Sequence, residues 1–123
     1  MKVLNYGSLN VDYVYSVDHI IVGGETQHSS KLEVFSGGVN TKYIRRLPVK
    51  GGHTMIQVDK NAQNCIILYG GTNQMQTREF VDEVLADFGE GDYLLLQNEI
   101  NMLDYIIDQA YEKKMKIIMN PSP

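Results

Sequence analysis

With 123 residues, 43% of them hydrophobic and 21% charged, the chain is long enough for one domain with a core of its own and too apolar for a disordered segment. A formal net charge of −4 and the lack of a basic stripe interleaved with aromatics exclude a nucleic-acid footprint. The single cysteine, Cys65, has no disulfide partner, and His19, His28 and His53 lack ligand spacing. No apolar run reaches the length of a membrane span and no leader opens the chain, so a cytoplasmic protein without a metal cage or membrane partner is expected.

Taken in order, residues 2–6 form a short apolar strand that runs into Tyr6-Gly7-Ser8-Leu9-Asn10-Val11-Asp12. In an extended segment residues i and i+2 point the same way, so Asn10 and Asp12 can offer an amide and a carboxylate to one ligand. A polyhydroxylated molecule suits that pair, because the carboxylate only accepts hydrogen bonds while the amide also donates. A plain turn is the alternative, given the turn preferences of Gly, Ser, Asn and Asp. Residues 13–17 and 31–35 alternate as strands, with Gly23-Gly24 between them and Gly37-Gly38 after. The basic cluster from Lys42 to Lys50 reads as a solvated strand or loop, or as an anion contact.

From Gly52 the pattern predicts a hairpin: residues 54–59 alternate, residues 60–63 turn and residues 64–69 return, with Cys65 expected as a packed thiol. Gly70-Gly71 ends it and, like Gly51-Gly52, is not expected to open a helix as a phosphate loop must. Thr77 is a fair N-cap for a helix carrying Phe80, Val81, Val84, Leu85 and Phe88 on one face, stopped by Gly89 and Gly91. Residues 93–97 read as a strand buried on both faces, residues 101–114 as a helix with Met102, Leu103, Ile106, Ile107, Ala110 and Tyr111 at helical spacing, and residues 116–119 as the next strand. Residues 93–119 thus form a βαβ unit with Gln97-Asn98-Glu99 at a strand's carboxyl end, where open α/β sheets bind ligands. Glu99 alternatively serves the dipole of the following helix.

The opening through Asp12 resembles ribokinase-type sugar kinases of the phosphofructokinase B group, whose first strand ends in Gly-Ser-x-Asn-x-Asp. Gly24-Glu25-Thr26, Gly37-Gly38, the hairpin from Gly52 to Tyr69, Gln97-Asn98-Glu99 and Asn120-Pro121-Ser122-Pro123 match further blocks in order, although Gly23 stands where the family commonly has proline. The resemblance implies an α/β fold, a partial Rossmann-like parallel sheet with helices, plus a small β-sheet lid built from residues of roughly 12–36 and 43–69. It implies ATP-dependent phosphorylation of ribose or a similar sugar, with Asn10, Asp12, Gly37, Gly38 and Glu99 as substrate contacts and the lid as a homodimer surface.

Departures from the family pattern carry as much weight. The family's Gly-Gly-Lys-Gly-x-Asn loop is not continued after Gly38, so several tens of residues are expected to be missing between Gly38 and Val39. The family's Gly-Ala-Gly-Asp motif, whose Asp is the catalytic base, does not occur, so no catalytic residue is assigned. ATP and Mg2+ are implied by the family, with their site expected to lie outside this chain. A chain not competent alone is the resulting expectation, with a non-catalytic dimerising or sugar-binding module as the alternative.

Overall fold

The computed structural model describes residues 1–36 and 41–122. Its order is β1 (Val3–Tyr6), β2 (Asn10–Ser16), β3 (Lys31–Ser36), β4 (Gly52–Val58), β5 (Asn64–Tyr69), a 3₁₀ turn (Gly71–Gln74), α1 (Arg78–Leu85), β6 (Tyr93–Gln97), α2 (Leu103–Glu112) and β7 (Lys116–Asn120). These strands make two sheets: a parallel one ordered β1-β6-β7 and a four-stranded one ordered β3-β2-β4-β5. The expected α/β architecture, a parallel sheet with helices plus a second β-sheet, is therefore observed, although the second sheet has more strands than the parallel one.

In the parallel sheet the pleat decides what is buried. Leu4 and Tyr6 of β1 and Leu94 and Leu96 of β6 lie on one face, in register, and pack against Val81, Val84 and Leu85 of α1 and Ile106 and Ala110 of α2. Each of the fully buried side chains Leu85, Leu94 and Ile106 contributes roughly 1.5–3 kcal/mol of transfer free energy. On the opposite face no helix packs among the described residues: Tyr93 and Leu95 are half-buried, and Val3 and Ile118 are more than half exposed. The expectation that β6 is buried on both faces fails, because both helices lie on the same side of the sheet.

Local chemistry sets the ends. The Thr77 side chain accepts from Phe80 N, capping α1 as expected, but the helix stops at Leu85 and Phe88 packs from the following turn. Tyr111, expected on the buried stripe of α2, is 77% exposed, since the sheet contact is made by Ile106 and Ala110. Asp92 joins the turn after α1 to the start of β1: Lys2 N donates to Oδ1 at 2.7 Å and Gly89 N to Oδ2 at 3.2 Å. Those amide donors hold its carboxyl below the usual carboxylate range.

The four-stranded sheet has no such layer over it. β2 runs parallel to β4 and antiparallel to β3, and β4 and β5 form the expected hairpin. All of β5 is exposed, Cys65 included. A packed thiol is thus incorrect: β5 is an edge strand, and nothing among the described residues covers either of its faces. The basic residues 42–50 form a loop with no strand in it, tethered to α1 and the turn after it by Arg45 to Glu83 and Lys42 to Asp87.

Candidate functional site

The two sheets meet at the carboxyl ends of the parallel strands, where they border an open cleft of ≈ 670 Å³. Asn5, Ser8, Gln97 and Glu99 line it from the parallel-sheet side, along with Asn120 at the end of β7 and Ser122 beyond it. From the other side come alternate residues of the four-stranded sheet. Register places Asp12 beside Thr54 and Thr54 beside Leu68, and two residues further Ile56 beside Ile66. The cavity thus has a polar floor and an apolar wall, the pattern a sugar ring with hydroxyl edges requires.

Asn10, Asp12 and Glu99, singled out from the sequence, all line this one cavity. Gly37 and Gly38, and the junction after Gly38, lie outside the described residues. Asn10 and Asp12 sit within β2 itself, so their shared face comes from the strand's pleat and not from a turn. Glu99 follows the end of β6 in the turn that leads to α2.

Each of these groups is held by a neighbour that sequence reasoning did not select. Thr54, 7% exposed, donates its hydroxyl to Asp12 Oδ1 at 2.7 Å. The Ser8 hydroxyl donates to Glu99 Oε2. Asn73, also 7% exposed, accepts from Leu9 N at 3.1 Å and donates to Asn10 Oδ1 at 2.7 Å. The 3₁₀ turn that carries Asn73 also holds the far side, since Gln74 Nε2 donates to the Glu99 carbonyl at 2.7 Å. Gly70-Gly71 thus leads into this four-residue 3₁₀ turn. Gly71 has φ +52°, and a Cβ there would press on the Gly51 backbone.

Beyond that turn, Asn101 is bonded to Gln76 in both directions, its Oδ1 accepting from the Gln76 amide at 2.9 Å and its Nδ2 donating to the Gln76 carbonyl at 3.0 Å. The Tyr6 hydroxyl donates to Gln76 Oε1 at 3.3 Å, and burial pushes this phenol up to about 12, so it stays a protonated donor. A clue to these partners was present, because Ser8 belongs to the same motif as Asn10 and Asn73 directly follows a Gly-Gly-Thr break. Nothing in the spacing linked them, however.

Comparison with known proteins places this architecture. No protein-family model matches the chain. A bifunctional ribokinase/ribose-5-phosphate isomerase A of Fructilactobacillus sanfranciscensis is 27% identical over 165 aligned residues, covering 99% of this chain and 31% of that protein. Ribokinase of Haemophilus influenzae is 23% identical over 159, covering 95% and 52%. The crystal structure of ribokinase from Thermotoga maritima superposes with a TM-score of 0.80 at 28% identity, over 98% of this chain and 52% of that one. In sequence and in fold this chain is similar to these ribokinases. It spans about half the length of the Haemophilus and Thermotoga ribokinases and a third of the bifunctional relative. Both alignments also run longer than the 123-residue chain, so each ribokinase relative carries tens of residues within the matched span that this chain lacks. Among the described residues no helix is long and apolar enough to cross a membrane.

Proposed function

We propose that this chain is the sugar-holding portion of a ribokinase-type carbohydrate kinase, with a ribose-like sugar in the cavity between the sheets and the four-stranded sheet acting as its lid. The observation that carries this reading is the convergence of Asn10, Asp12 and Glu99 on one cavity at the carboxyl ends of the parallel strands. Asp12 keeps Oδ2 for a sugar hydroxyl while Thr54 occupies Oδ1, and Glu99 keeps Oε1 while Ser8 occupies Oε2. Ile56, Ile66 and Leu68 cover the apolar face of the ring. Gly37 and Gly38 belong to the same proposed contact set, as backbone a bulky ligand can approach. The assignment includes a cytoplasmic location and no nucleic-acid partner.

In a kinase of this kind ATP supplies the transferred phosphoryl group and Mg2+ neutralises its charge. The described residues do not fit either group. None of their His, Cys, Asp and Glu side chains form a set of three or more placed to hold a metal ion. In the turn that Gly70-Gly71 begins, Asn73 N bonds to Gly70 O at 3.0 Å and Met75 N to Thr72 O at 3.1 Å, so these two amides are engaged and do not present to a phosphate. The part this chain plays is to bind and orient the sugar and to exclude water from one side of it. Titration calorimetry with ribose tests the reading: heat of binding that is lost in Asp12→Ala is expected, and no heat, or equal heat from the variant, removes it. The 123-residue chain alone should not phosphorylate ribose with MgATP, and turnover in a coupled assay would overturn that half of the proposal.

A second reading, self-association through the outer face of the lid, is favoured by Leu32, Val34, Met55, Ile67 and Tyr69. These alternate outward on β3, β4 and β5 and are 48–60% exposed. Light scattering behind a sizing column should return a dimer that Ile67→Lys dissociates. A strict monomer at high micromolar concentration would leave the idea without support.

A further inference from the structure

The order in which donors and acceptors are used around Asn73 fixes which end of Asn10 can meet a ligand. Leu9 N–H is a donor, and only an oxygen can accept from it, so the Asn73 amide must turn Oδ1 toward Leu9, at 3.1 Å. Its Nδ2 is then directed at Asn10, at 2.7 Å, and at the Leu9 carbonyl, at 3.5 Å. By the same logic the Asn10 atom that receives Nδ2 is its oxygen. What remains of Asn10 is a donor: Nδ2 lies 3.4 Å from Ser8 Oγ and has a second hydrogen for the cavity. The Ser8 hydroxyl in turn donates to Glu99. Donation therefore runs in one sense from the Leu9 backbone through Asn73, Asn10 and Ser8 to a carboxylate.

Packing closes off the alternative arrangement. A Cβ at Gly52 would collide with both Asn73 Nδ2 and Asn10 Oδ1, so the two amides meet over bare backbone. Asn73 is nearly buried, and an amide reversed there would leave Leu9 N–H facing an NH2 group with no acceptor.

We propose that Asn73 is a positioning residue that sets the polarity of the pocket floor, holding Asn10 as a hydrogen-bond donor between the acceptors Asp12 and Glu99. The ligand it selects, resting on the sugar reading above, is a polyol with one hydroxyl accepting from Asn10 and neighbouring hydroxyls donating to the carboxylates. An Asn73→Asp substitution is close to isosteric and replaces the donor by an acceptor, which turns Asn10 over and points its carbonyl at the ligand.

Two measurements on the 123-residue chain decide it. In 15N NMR, the side-chain NH2 protons of Asn73 should exchange with solvent more slowly than those of Asn10, and Asn73→Asp should slow the Asn10 protons. Equal or slower exchange of the Asn10 group in the unsubstituted chain would overturn the proposal. This holds whether or not the chain binds sugar and whether or not the variant folds. In calorimetry with ribose, Asn73→Asp should weaken binding at least tenfold, yet by less than twofold when placed on Asn10→Ala. The same tenfold loss on that background would mean Asn73 does not act through Asn10. If the unsubstituted chain gives no heat with ribose, the sugar reading fails while the exchange order still tests the polarity of the floor.

Discussion

The two halves of this molecule bury their side chains in opposite ways. Among the described residues the hydrophobic core, from Leu4 to Met115, is built by the parallel sheet, α1, α2 and their connecting loops, and no strand of the four-stranded sheet contributes an apolar side chain to it. In that second sheet the buried positions of β4 are Gly52 and Thr54, both at the seam where Asn10 and Asp12 are held. A layer of helices stabilises one region, while the other is held by backbone pairing and a few polar contacts at its edge. Segments with few buried contacts open at low free-energy cost, and in this respect the second sheet is the more easily opened of the two.

The comparison can be broken in the core first. Leu94→Ala, at a fully buried site, should destabilise the chain by about 2–5 kcal/mol in urea unfolding. A loss below 1 kcal/mol would mean that the parallel sheet is not the stability centre. Asp92→Asn removes the carboxylate that ties β1 to the turn after α1, and should lower the thermal midpoint at neutral pH. Because the folded-state pKa of Asp92 is depressed, its contribution is present above the unfolded value, near 3.8, and is lost as pH falls through the folded value. Melting curves of the two proteins should converge in strong acid; a constant gap at every pH would contradict the assignment.

Smaller effects sharpen the contrast. Thr77→Ala, which removes the α1 cap, should cost about 0.5–2 kcal/mol, measured the same way. Ile67→Thr, on the uncovered sheet, should change the stability of the monomer by no more than about 0.5 kcal/mol. A larger loss, growing with protein concentration, would show instead that this face is covered in solution. The exposed pair of His19 and Glu25, 3.1 Å apart, should matter least. Its bond to Glu25 raises the His19 pKa, so its contribution is complete below the unfolded histidine value and disappears as pH rises through the folded one. Glu25, depressed chiefly by the Val22 amide, limits the window at the acid end. Comparing His19→Gln with the parent at pH 5 and pH 9 checks this, with a difference only at pH 5 expected.

The parts legible in the sequence were those with a local cause. The short apolar run of residues 93–97, the spacing of Ile106 and Ala110, and Thr77 before an apolar stripe each depend on residues within a few positions of one another. The misread features were questions of what lies above a surface. Cys65 and Tyr111 carry apolar patterns identical to buried ones, and only the placement of the helices on one side of one sheet leaves them in water.

By itself the sequence determined the types and order of the strands and helices, the i, i+2 pair Asn10 and Asp12, and the resemblance to ribokinase-type kinases. Tertiary structure decided which of these meet: Thr54 reaches Asp12 across 42 positions, Asn73 reaches Asn10 across 63, and Ser8 reaches Glu99 across 91. The reason is physical, because a hydrogen bond's direction depends on which atom the partner presents. That is fixed only when distant segments have been folded against one another.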